Sequence, residues 1–234
     1  GPPPVVKALI FDVFGTVVDW RNGVANAVRE AGLPVDPLAF ADAWRGKYQP
    51  KMQEVRSGNR PYVALDILHL ENLEATLADF GLHKDLSAAQ KANLNRAWEK
   101  LPPWPDSVLG LTTLKRHFTL GTCSNGSVSL MTNLAKFGSL PWDHILGAEI
   151  AQGYKPDPKV YLASAAALDL PPDQVMMVAA HNGDLAAARA TGLKTAFFPR
   201  PVEYGPGQKG DLKAESNWDV VANDLVDLAQ IMVR

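Results

Sequence analysis

At 234 residues, with 47% hydrophobic and 21% charged residues, the chain is long enough to bury one sizeable core and to support a smaller second unit. A formal net charge of -2 leaves no basic field to attract nucleic acid or an anionic membrane. No apolar run approaches the roughly 20 residues of a membrane span, and no charged segment leads into a long apolar one at the start, so a soluble cytoplasmic protein is expected. The single cysteine, Cys123, cannot form an internal disulfide, which suits a reducing compartment. Gly1-Pro2 reads as a protease remnant and stands outside the fold argument.

Val5 to Phe11 is a short apolar run rich in branched residues, which predicts a strand covered on both faces and ending at Asp12. From Val17 to Lys100 no strand-like run appears. Apolar residues recur there at three- and four-residue intervals, which predicts helices. Phe40, Ala43, Trp44 and Tyr48 would share one helix face, and Val63, Ile67, Leu70, Leu73, Leu77 and Phe80 another. The proline-rich stretch Leu101 to Asp106 ends this region, because no helix continues through it. Further strand-like runs follow at Phe118–Thr122, Ile145–Ile150, Val175–Ala179 and Thr195–Phe198, most of them separated by helical patterns. The expected fold is α/β, a doubly wound parallel sheet in a Rossmann-like core (1–16 and 101–234), with a helical unit (17–100) inserted after the first strand. Pro199 to Gly210, rich in proline and glycine, predicts a long irregular loop at the rim of a site.

Ligands of open parallel sheets sit beyond the carboxyl ends of the strands, so the residues that follow each apolar run matter most. They are Asp12-Val13-Phe14-Gly15-Thr16, then Ser124-Asn125-Gly126, then Lys155-Pro156-Asp157, then His181-Asn182-Gly183-Asp184. A carboxylate, a hydroxyl, an ammonium and a second carboxylate would converge on one crevice. Any one of these residues has an ordinary reading as a turn or cap residue. Their joint register favours catalysis.

Phe11-Asp12-Val13-Phe14-Gly15-Thr16 resembles the first motif of the haloacid dehalogenase superfamily, whose leading aspartate is a covalent nucleophile. Cys123-Ser124-Asn125-Gly126 resembles the second motif, Gly153 to Pro158 the third, and Asp184 with its Ala-rich helix the fourth. The resemblance covers nearly the whole chain, with 17–100 in place of the family's helical cap. Superfamily phosphatases carry a second aspartate where this chain has Phe14, and a magnesium-binding carboxylate where it has Ala180. Losing both undermines magnesium-assisted phosphoryl transfer. The chain therefore resembles the metal-independent (S)-2-haloacid dehalogenases, with no metal or cofactor expected. A superfamily phosphatase and a non-catalytic, acid-binding member are the alternatives.

The resemblance implies that Asp12, held by Thr16 and Lys155, displaces the halide from a short (S)-2-haloacid and forms an ester, which water then opens at Asp12. Arg45 and Asn125 would receive the halide, Ser124 with nearby backbone N–H groups would bind the substrate carboxylate, and Asp184 would orient or deprotonate the water. Phe14 would keep water from the carbon under attack, and Trp44 would lie near the substrate. His181 stands where relatives carry a water-positioning asparagine. It is expected either to hold the water with Asp184 as a neutral ring, Gly183 leaving it space, or to pack under the loop and donate to a backbone carbonyl. Cys123 reads as a small buried hydrophobe, and His69, His83, His117 and His144 lack paired metal-ligand spacing. A small-molecule substrate, no nucleic acid or membrane partner, and a homodimer complete the expectation.

Overall fold

The computed structural model describes residues 1–234. Five strands, β1 (Ala8–Phe11), β2 (Thr119–Thr122), β3 (Val175–Ala179), β4 (Lys194–Phe197) and β5 (Val220–Val221), form one sheet in the order β2-β1-β3-β4-β5. All pair in parallel. Every residue of β1 and β3 is buried, which is why these strands are unbroken apolar runs rather than alternating ones. Phe11 pairs with Thr122 of β2 and with Val178 of β3, so the chain leaves all three strands at the same level. The strand order reverses at β1 and β3, and a crevice opens there beyond their carboxyl ends.

Ile145–Ile150 is not a strand. It makes only isolated bridges, from His144 to Gly121 and from Gly147 to Ser124. Gly147, at φ +112°, turns the chain out of the extended conformation, and Ala148–Ala151 winds into a short helix. The fifth strand is instead Val220–Val221, too short to leave a run in the sequence.

Between β1 and β2 lie α1 (Trp20–Glu30), α2 (Pro37–Gly46), α3 (Tyr48–Arg56), α4 (Leu65–Asp79), α5 (Ala88–Asn95) and α6 (Ser107–Lys115). The side chains of Asp19 and Asp36 accept from the first free N–H groups of α1 and α2, fixing where each helix starts. Phe40 and Trp44 do share a buried face of α2, but Tyr48 begins the next helix. The buried stripe of α4 is Leu65, Leu68, His69, Asn72, Leu73, Thr76 and Leu77; of the expected residues Leu73 and Leu77 belong to it, whereas Ile67 is exposed. Its three polar members disguise it. After β2 come α7 (Val128–Gly138), α8 (Ala148–Ala151), α9 (Pro158–Ala167), α10 (Asn182–Ala190) and α11 (Leu225–Met232).

The larger apolar cluster runs without a break from Leu9 and Phe11 on the sheet through Phe14 to Trp44, Leu73 and Trp98 among the helices. A smaller cluster, with Ile10, Met177, Val160 and Phe197, covers the other face of the sheet. No helix is long and apolar enough to cross a membrane.

Candidate active site

Asp12 is the first residue beyond β1, and three side chains converge on its carboxylate. Lys155 Nζ reaches Oδ1 at 3.0 Å. Thr16 Oγ1 donates to Oδ2 at 2.7 Å, and His181 Nδ1 lies 2.9 Å from the same oxygen. Thr16 can turn back on Asp12 because Gly15 takes φ +87°, a conformation that disfavours any side chain. The Thr16 hydroxyl also accepts the Ala180 N–H at 3.0 Å and so ties the end of β1 to the end of β3. Arg200 fixes the same turn from outside, donating Nε to the Thr16 carbonyl and a bidentate pair to Asp106.

Lys155 also donates to Asp184 Oδ2 at 2.7 Å, and the Tyr161 hydroxyl donates to Asp184 Oδ1. His181 stands at the start of α10, makes no capping bond to it, and bridges two carboxylates, its Nε2 lying 2.6 Å from Oε1 of Glu203. Glu203 is buried, accepts the Trp20 indole N–H at 2.9 Å, and presses so closely on Gly15 that a β-carbon there would overlap its carboxylate. One of the two forms expected for His181 is thus corrected. The ring does not pack under the loop and donate to a backbone carbonyl, because Asp12 faces one nitrogen and a buried acid from the 199–210 loop claims the other. A β-carbon at Gly183 would meet no atom within 4 Å, so the space beside that residue is open.

Burial alone would raise the Asp12 carboxyl, but Lys155, His181 and Thr16 outweigh it and hold the group well below the usual carboxylate range. Burial alone would lower Lys155 and His181. The carboxylates on each side reverse this and raise both, Lys155 through Asp12 and Asp184, His181 through Glu203 and Asp12. The resting site therefore holds an ionised Asp12 between two cations. Cys123 is fully buried, and burial pushes its thiol up to about 12, as befits a packing residue.

Asp12 opens onto a cavity of about 550 Å³ lined also by Phe14, Arg45, Asn125, His181 and Asp184. Arg45 Cζ stands 3.7 Å from the centre of the Tyr48 ring, and its Nε is buried without an acceptor. Asn125 turns its Oδ1 to the Lys155 N–H at 2.9 Å, which directs its amide donors to the cavity. Phe14 packs edge-on against Trp98 and His69. The backbone N–H groups of Val13 and Phe14, beside Asp12, take no protein acceptor.

Two expected residues do not reach the cavity. Ser124 is fully buried, and its hydroxyl accepts the Gly126 N–H at 3.0 Å. Trp44 packs against Trp98 and donates its indole N–H to the His69 carbonyl at 3.0 Å. Sequence distance could not separate them from their neighbours Asn125 and Arg45, which point the other way.

The sequence matches the haloacid dehalogenase-like hydrolases over residues 6–192. The crystal structure of the defluorinating L-2-haloacid dehalogenase Rha0230 is 50% identical and superposes with a TM-score of 0.95 over 98% of this chain and 96% of that one. The chain belongs to the L-2-haloacid dehalogenase branch of this hydrolase family. The structure of the L-2-haloacid dehalogenase PA0810 is 47% identical with a TM-score of 0.92, covering 96% of this chain and 98% of its own. (S)-2-haloacid dehalogenase 1 of Pseudomonas sp. (strain CBS-3) is 29% identical over 85% of this chain and 88% of its length.

Many folds of this hydrolase family imply a divalent cation, and Asp12, His181 and Asp184 could each offer a ligand atom within 4.8 Å of the others. The donor set does not fit one. A cation there would have to displace the Lys155 ammonium from Asp12 and Asp184 and strip the proton from His181, against the charge of both.

Sequence reasoning missed Glu203, Tyr161 and Arg200. The irregular loop was the available signal for Glu203 and Arg200, and nothing in the local pattern marks Tyr161.

Proposed function

We propose that the protein hydrolyses short (S)-2-haloacids to (R)-2-hydroxyacids through an ester on Asp12, without a metal ion. One observation carries this reading: a carboxylate, buried yet held ionised by Lys155, Thr16 and His181, faces a cavity into which Arg45 brings a guanidinium with no acidic partner. The chain's arginine–carboxylate pairs belong to Arg21, Arg60 and Arg200.

Asp12 attacks C2 from the side opposite the halogen, the C–X bond breaks, and the halide leaves with the electron pair. Arg45 and the Asn125 amide receive its growing negative charge, which they stabilise more than the neutral C–X bond. Phe14 keeps water from C2. The substrate carboxylate meets the free N–H groups of Val13 and Phe14, the role that the buried Ser124 hydroxyl leaves open.

Esterification removes the charge of Asp12 and with it one of the two carboxylates that keep His181 protonated. His181 then releases its Nδ1 proton to solvent, which is the proton of the overall reaction. Neutral His181, its Nε2–H held by Glu203, takes a proton from the water that attacks the Asp12 carbonyl carbon. Lys155 stabilises the oxyanion. Collapse expels the alkoxide, which takes the proton of the new carboxyl, and Asp12 and protonated His181 are restored. Asp184 orients Lys155 and the water.

The same reading makes 17–100 a cap that carries Arg45 over a core of 1–16 and 101–234. It also places the enzyme in the cytoplasm as a homodimer with a small-molecule substrate and no nucleic-acid or membrane partner. The test is a single turnover of (S)-2-chloropropionate in heavy-oxygen water, run with and without EDTA. Label should enter Asp12 rather than the first product, halide release should survive chelation, and Asp12→Asn should abolish it. Label in the first-turnover product, or loss of activity restored by magnesium, would sink the reading.

A further inference from the structure

Gln49, Gln53 and Arg56 stand at i, i+4 and i+7 on α3 and turn one polar stripe to the same cavity. The Arg56 guanidinium is half-buried and meets only neutral acceptors. Nε donates to Gln53 Oε1 at 2.9 Å, Nη1 to the Lys155 carbonyl at 2.9 Å and Nη2 to Gln49 Oε1 at 3.1 Å. Burial lowers its pKa, and no carboxylate pairs with it to offset the desolvation. A partly desolvated charge of this kind is costly unless something of opposite sign arrives.

The charges around the cavity say what arrives. Asp12, Asp184 and Glu203 are offset by Lys155 and His181 but for one negative charge, which Arg45 balances in number while touching no carboxylate. Arg56 is left over, and its excess matches the one permanent charge of a haloacid. The Lys155 backbone links the two ends of the site, its carbonyl accepting from Arg56 and its N–H donating to Asn125, whose amide faces the cavity. We infer that Arg56, supported by the Gln49 and Gln53 amides, is the counter-charge that binds the substrate carboxylate, working with the Val13 and Phe14 N–H groups. This inference rests on the dehalogenase reading. Its rival is a strut in which Arg56 merely fastens α3 to the Lys155 loop.

The two are separated by comparing (S)-2-chloropropionate with its neutral amide in the wild type, Arg56→Gln and Arg56→Lys. The glutamine variant should raise KM for the acid by about 10- to 100-fold, the order of a lost charge-assisted hydrogen bond, with a smaller change in kcat. Its preference for acid over amide should fall by the same factor, and Arg56→Lys should recover part of both. A strut would weaken acid and amide alike and leave the preference intact, which would overturn the inference. Calorimetric titration of (R)-lactate reads the site without turnover: binding weakened at least 10-fold in Arg56→Gln supports the inference, and equal affinity overturns it. If the wild type releases no halide while lactate binding still depends on Arg56, the dehalogenase reading falls and the anion site stands.

Discussion

Replacing Glu203 by glutamine removes a negative charge from behind His181 at almost constant volume. Glu203 is 1% exposed, so water cannot take its place, and its carboxylate is shared between His181 Nε2 at 2.6 Å and the Trp20 indole N–H at 2.9 Å. A glutamine keeps the Trp20 bond through its carbonyl oxygen and so turns its amide N–H toward Nε2. That donor calls for a lone pair on Nε2, which sends the remaining imidazole proton to Nδ1, the atom facing Asp12. Nδ1 then cannot take a proton from water. A lost charge-assisted hydrogen bond alone costs about 1.5–3 kcal/mol, roughly 10- to 100-fold, so with the wrong tautomer ester hydrolysis should slow by at least about 10²-fold. Displacement of the halide should be little affected.

Rapid mixing with (S)-2-chloropropionate should therefore give a burst of halide followed by a slow steady state, with Asp12 carrying the acyl adduct in the mass spectrum. Because Glu203 raises His181, its removal should move the acid limb of ester hydrolysis to lower pH, by about 1–2 units at 1.36 kcal/mol per unit. The sign for stability follows from the same shift. The His181 pKa is raised in the folded protein, so its contribution is complete below the unfolded value near 6.5 and is lost as pH rises through the folded value. The Tm deficit of Glu203→Gln should accordingly be largest in acid and shrink in base. An unmodified Asp12 together with an unmoved acid limb would refute the relay from Glu203 through His181.

Arg45→Ala should slow halide displacement by about 10²-fold or more, the order for removing a charged donor from a leaving group, with a smaller effect on substrate binding. A nearly unchanged burst rate would place the halide elsewhere. Ser124→Ala should leave KM for the acid within about twofold and lower stability by about 1 kcal/mol through the lost turn bond to Gly126. A tenfold rise in KM would return the carboxylate to Ser124.

The sequence by itself determined the inner strands of the sheet, because β1 and β3 are buried on both faces and such strands must be continuous apolar runs, whereas the short β5 left no run. It also marked Asp12, Thr16 and Asp184, since a parallel sheet delivers the residues after its strands to one edge, whereas Lys155 was marked behind a run that folds into a short helix. Where burial is shared with polar side chains the pattern misled, as on α4, whose inner stripe includes His69, Asn72 and Thr76. Which of two adjacent residues faces the cavity was likewise hidden: Ser124 turns in and Asn125 out, and Trp44 packs while Arg45 lines the site. Only the tertiary structure brought Glu203 behind His181 and Arg56 beside the Lys155 backbone, at separations of 22 and 99 residues. Both contacts depend on how a loop and a helix close over the sheet edge, and local sequence carries periodicity and turn chemistry but not the path by which distant segments meet.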